Sequence, residues 1–135
     1  MCNPLWGRAR AEALRQDDLA RLRRVRDRIG REHARPLDVG ALARDAGMPP
    51  GHLSRRFRLA YGLSPYAYLV GRRVERARAL LRSGELGVVE VGVAVGFPTP
   101  GVFADRFTEV TGVSPVDFAA PVRNEEASAV EPRLA

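Results

Sequence analysis

Only one cysteine, Cys2, occurs in the chain, so neither a disulfide framework nor a thiolate metal site is open to it. The two histidines, His33 and His52, are too few and too isolated to build a metal centre. No run of about 18 apolar residues exists, which excludes a membrane-spanning helix. The first residues, Met1 to Arg8, lack the apolar stretch of a secretory signal, so a cytoplasmic protein is expected. No segment alternates apolar and polar residues, and strands are not expected. A phosphate-cradling glycine-rich loop is missing as well. Ser54, Ser64, Ser83 and Ser114 stand at caps or on a helix face without a base beside them. No catalytic constellation and no cofactor site is legible.

Lysine is absent, and all 22 basic residues are arginine. Their distribution is uneven. Residues 1–82 hold 19 basic and 8 acidic residues, a balance of +11, whereas residues 83–135 hold 3 and 8, a balance of −5. A polyanionic partner is expected on the first two-thirds of the chain. With 45% hydrophobic residues, 135 positions suffice for one domain or two very small ones sharing a helix.

The remaining pattern is helical. Leu19, Leu22, Val25 and Ile29 make one apolar stripe and predict a first helix from about Asp18 to His33. Asp38 is an N-cap for a second helix that Gly47 ends. A third helix starts at Pro49 or Pro50 and runs to Tyr61. Ser64-Pro65 opens the longest helix, to about Arg82, with Tyr66, Leu69, Val70, Val74, Ala77, Leu80 and Leu81 on its apolar side. Two further helices, about Val88–Val95 and Thr99–Thr111, and a short turn near Phe118 complete an all-α chain of about seven helices. The expected divisions are an N-terminal extension (1–17), a first helix-turn-helix subdomain (18–62), a linker helix (63–83), a second helix-turn-helix subdomain (84–120) and a disordered acidic tail (121–135).

The strongest signal is an internal repeat. Ala46-Gly47-Met48-Pro49 matches Val95-Gly96-Phe97-Pro98, Arg56-Phe57 matches Arg106-Phe107, and Gly62-Leu63-Ser64-Pro65 matches Gly112-Val113-Ser114-Pro115. The offset is 49 before the second helix of each unit and 50 within it. Each copy reads as a short helix, a glycine turn and a second helix with two apolar anchors, Leu53 and Phe57 or Phe103 and Phe107. That is the helix-turn-helix arrangement.

Over Leu19 to Phe118 the chain resembles the AraC/XylS family of bacterial transcription regulators. The resemblance is carried by Leu42-Ala43-Arg44-Asp45-Ala46-Gly47-Met48, Leu53-Ser54-Arg55-Arg56-Phe57, Gly62-Leu63-Ser64-Pro65, Arg73-Val74-Glu75-Arg76-Ala77, Gly96-Phe97 and Phe103 through Pro115. It implies two recognition helices entering successive major-groove segments of double-stranded DNA, with the long helix setting their separation. The short length is expected to leave no room for an effector domain, which implies binding as a monomer.

In the first unit, Gly51, His52, Ser54, Arg55 and Arg58 are expected to face outward. Arg55 is the first candidate for base readout, because a guanidinium can bond guanine O6 and N7 together. Arg58 is better placed for phosphate, and Arg56 lies towards the packed side. Arg73 and Arg76 match the family's linker-helix pattern, as backbone contacts or as braces to nearby acids, with bracing favoured for Arg73. In the second unit, Thr99 and Arg106 are the candidates. Asp105 stands where the first unit has Arg55, Glu109 adds a second carboxylate, and Gly92 weakens its short helix by about 1 kcal/mol. The first unit is therefore expected to dominate DNA affinity. Three roles stay open for the second: weak docking, reading a narrow feature, or contact with a protein partner such as RNA polymerase. The alternative for the whole chain is a protein-interaction module that keeps the fold with weak or lost DNA binding.

Overall fold

The computed structural model describes residues 4–120, with side chains from residue 7 onward; Cys2 and the expected disordered tail (121–135) lie outside the described residues. Among the described residues all regular structure is helical: α1 (Pro4–Glu32), α2 (Val39–Ala46), α3 (Pro50–Tyr61), α4 (Pro65–Ser83), α5 (Val88–Ala94), α6 (Pro100–Thr111) and a helical stretch, α7, over 115–120. The predicted start of the first helix at Asp18 was too late. Residues 7–17 are exposed, so no apolar stripe marks them, but they are rich in Ala, Arg, Glu and Leu, which favour helix without help from packing. An Arg15–Glu12 ion pair at 2.7 Å lies on this exposed segment.

Two compact units divide within α4. One holds the chain up to Glu32 and Leu37–Leu69; the other holds His33–Pro36 and the residues from Val70 onward. Thus α4 belongs to both units, where a separate linker was expected. The first core is built from Leu22, Val25 and Ile29 of α1, Leu42 and Ala43 of α2, Met48 of the turn, Leu53 and Phe57 of α3, and Leu69 of α4. The second is built from Val70, Val74, Ala77 and Leu81 of α4, Val91 and Val95, Phe97, and Phe103 and Phe107 of α6. Two residues assigned to apolar stripes are at the surface: Leu19 is 42% and Tyr66 47% exposed.

The sequence repeat is a repeat of structure. α2 and α5 each run into a glycine with positive φ, Gly47 at 67° and Gly96 at 101°. In both turns the same two bonds close the helix: Gly47 N–H to Arg44 O and Met48 N–H to Ala43 O, against Gly96 N–H to Val93 O and Phe97 N–H to Gly92 O. Proline then occupies the first turn of α3 and of α6. After α3 and after α6 a serine side chain caps the next helix, Ser64 Oγ accepting from Ala67 N–H and Ser114 Oγ from Asp117 N–H. The ring four residues after each cap closes edge-on against the second anchor, Tyr68 on Phe57 at 5.8 Å and Phe118 on Phe107 at 5.4 Å.

The two cores fill the same space differently. Ala43 and Leu53 in the first unit correspond to Gly92 and Phe103 in the second. A methyl group on Gly92 would lie 2.7 Å from Cδ2 and 3.0 Å from Cγ of Phe103. Gly92 is therefore more than a weak helix former: it makes the room that Phe103 occupies. Gly92→Ala should destabilise the protein by about 1–3 kcal/mol through overpacking, although alanine favours helix by about 1 kcal/mol. Urea unfolding of Gly92→Ala, with and without Phe103→Leu, checks this. The second change should restore stability, and a gain from Gly92→Ala alone would contradict the packing argument.

Candidate nucleic-acid interface

In the first unit, Leu53 and Phe57 have no exposed surface and hold α3 by one side. Four residues on, the pattern repeats, so the opposite side turns outward. Gly51, Arg55 and Arg58 are exposed there and Ser54 is half-buried. The Arg55 guanidinium lies back over the helix start, with Nη1 3.4 Å from where a β-carbon on Gly51 would sit. Glycine at 51 thus leaves room for the Arg55 head group at the N-terminal end of the helix.

His52 and Arg56 face α1 instead. His52 Nε2 lies 3.2 Å from Asp18 Oδ2, and Arg56 Nε 3.4 Å from the same oxygen, with the Asp18 side chain only 17% exposed. Arg56 is on the packed side as expected. His52, expected to face outward, is partly taken up by Asp18. Sequence reasoning missed Asp18 because its partners stand more than thirty residues away, and only the packing of α1 on α3 joins them.

In the second unit, Phe103 and Phe107 anchor α6 in the same way, at 1% and 0% exposure. Exposure along residues 100–115 follows that along 50–65 position by position. The chemistry does not. α3 carries three arginines and no acid, whereas α6 carries one arginine and two acids. Thr99 is the N-cap of α6, its Oγ1 accepting from Val102 N–H at 3.1 Å. Arg106 donates from Nη1 to both Glu109 oxygens at 2.7 Å. Asp105 is exposed.

Arg73, a candidate for DNA contact or for bracing, is buried. It is 5% exposed and belongs to the second unit's interior. Its Nε donates to the His33 carbonyl at 2.6 Å and its Nη2 to the Arg35 carbonyl at 2.9 Å. Its guanidinium also lies 5.6 Å from the Phe97 ring centroid. These bonds go to main-chain oxygens of the same unit, not to the acids that were expected. Arg76, by contrast, is exposed on α4.

Two units of this kind, each holding the second helix of a helix-turn-helix pair by two buried anchors, define a double helix-turn-helix protein. A family model described as a helix-turn-helix domain matches residues 42–120. The DNA-binding domain of AdpA, solved in complex with a target DNA, matches with a TM-score of 0.69 at 31% identity, over 77% of this chain and 94% of that one. The C-terminal domain of AraT, a response regulator from Geobacillus stearothermophilus, matches with a TM-score of 0.71 at 30% identity, over 75% and 84%. In sequence, the HTH-type transcriptional regulator GlxA of Rhizobium meliloti is 38% identical over 84 residues, 60% of this chain and 25% of that protein. The chain belongs to the AraC/XylS family of helix-turn-helix proteins. It spans about a quarter of the length of GlxA. No described helix is long and apolar enough to cross a membrane.

Proposed function

We propose that the chain is a sequence-specific, DNA-binding transcription regulator of the cytoplasm, acting by binding and not by catalysis, with α3 supplying most of the readout. The observation that carries this reading is the outward face of α3, where Arg55 and Arg58 are exposed opposite two fully buried anchors. Arg55 reads a guanine edge in the major groove, Arg58 and Arg76 meet phosphates, and Ser54 makes a secondary contact. His52 contributes from the α1 side of the helix, where Asp18 orients its ring. Thr99 and Arg106 serve α6 itself, as cap and as partner of Glu109. The acidic α6 adds little to DNA affinity and suits a protein partner, for which RNA polymerase is the natural candidate.

Fluorescence anisotropy on the DNA upstream of the chain's own gene, against scrambled DNA and across a salt series, tests the reading. Arg55→Ala should lose about 10- to 100-fold in affinity for the preferred DNA, the equivalent of about 1–3 kcal/mol, and lose its preference over scrambled DNA. Arg58→Ala should weaken both DNAs alike and lower the salt slope by about 1. Asp105→Ala should bind more tightly. An absence of binding to any duplex at low salt, after unbiased site selection, would refute the proposal.

A further inference from the structure

The first unit carries a second basic feature away from the recognition face. A groove of about 380 Å³ runs between α1 and the end of α2, lined by Arg21, Arg24, Val25, Arg28, Leu42, Arg44, Asp45, Ala46 and Gly47. None of the outward residues of α3 lines it. On α1 the residues at 21, 24, 25 and 28 share one helix face, so Arg21, Arg24 and Arg28 surround Val25, which packs in the core with Leu42. The last turn of α2, from Arg44 to Gly47, is the opposite wall.

Four guanidiniums therefore line this groove against one carboxylate. Arg28 is already engaged, by Glu32 at 2.7 Å and by Asp45. Arg28 holds Asp45 on its own side of the groove but shares its single charge between Asp45 and Glu32, so the charge available to an anion is that of Arg21, Arg24 and Arg44. Arg21, Arg24 and Arg44 make no ion pair or hydrogen bond among the described residues. The α2 carbonyls of Ala43 and Arg44 do not need them, since Met48 N–H and Gly47 N–H already satisfy those oxygens. Like charges held around a concave wall repel one another, and an anion bridging them removes that cost. Guanidiniums match phosphate oxygens in a paired, planar geometry, and the volume falls in the range of small-ligand sites.

We propose that this groove is a phosphate-binding site, distinct from the recognition helix, that takes a diphosphate-class anion or two adjacent phosphates of a DNA strand. Arg21, Arg24 and Arg44 hold the phosphate oxygens, and Arg28 keeps Asp45 out of their way.

The test uses the full chain and the double variant Arg24→Gln/Arg44→Gln, which touches neither the core nor α3. Thermal melts are recorded with pyrophosphate and with sodium chloride at equal ionic strength, and the anisotropy salt series is repeated. A rise in melting temperature with pyrophosphate, absent with chloride and lost in the double variant, establishes the site for free phosphate compounds. A DNA salt slope lowered by about 2 in the variant, with the Arg55-dependent sequence preference kept, establishes it for the DNA backbone. If pyrophosphate stabilises both proteins equally or not at all, and the salt slope is unchanged, the groove is only a solvated basic face and the proposal falls. The melting arm needs no DNA, so its outcome is independent of the regulator reading.

Discussion

Gly96→Ala is expected to cost about 2–5 kcal/mol, a large share of the roughly 5–15 kcal/mol that holds a small protein folded. Two effects add. Gly96 has a φ of 101°, a conformation that costs a residue with a β-carbon about 1–2 kcal/mol. A β-carbon there would also lie 2.8 Å from the Ala34 carbonyl oxygen and 2.9 Å from its carbon and α-carbon. Those are main-chain atoms, so no rotamer change relieves the overlap, and strain of the overpacking kind adds about 1–3 kcal/mol. Gly47, the matching turn glycine of the first unit, is the internal control. Its φ is 67° and a β-carbon there meets nothing within 4 Å, so Gly47→Ala should cost only the backbone share. Urea unfolding of the two variants side by side decides the point; equal losses would mean that the close approach to Ala34 carries no weight.

Arg73→Met should cost about 3 kcal/mol or more. Hydrogen bonds with one charged partner contribute about 1.5–3 kcal/mol each, and this side chain donates two from a nearly buried guanidinium to the carbonyls of His33 and Arg35. Arg73→Lys should rescue little, because one ammonium cannot reproduce a fork that uses Nε and Nη2 on separate oxygens. The readout that separates bracing from DNA contact is the salt dependence of DNA binding, measured where the variant is still folded. A brace leaves that slope at its wild-type value, whereas a lost phosphate contact would lower it by about 1. Arg73 and Gly96 secure the same short segment, residues 33–36, so their effects should be non-additive in a double-mutant cycle.

That segment also shows where sequence reasoning stopped. Residues 33–36 follow the first helix in the chain, yet they belong to the second unit, and nothing in their composition says so. The same is true of Asp18, which reads as an ordinary surface acid until α1 brings it to His52 and Arg56. Helix ends were legible because caps and turn glycines are local signals: Asp38, Gly47, Ser64 and Ser114 all stand at the termini they predict. The early start of α1 was not, because helix propensity without an amphipathic stripe leaves no periodic mark. Gly92 was misread as a simple weakness, since its partner Phe103 lies in another helix.

The sequence by itself determined the all-helical class, the double helix-turn-helix repeat and the contrast between a basic α3 and an acidic α6. These depend on residue type at short, regular spacing, which survives without knowledge of the fold. Only the tertiary structure decided which arginines are available. Arg55, Arg58 and Arg76 stand in solvent, Arg73 is buried against main-chain oxygens, and Arg56 is turned to Asp18. In a chain whose cations are all arginine, charge marks a candidate, but burial and long-range partners determine its role, and both are set by contacts between residues far apart in sequence.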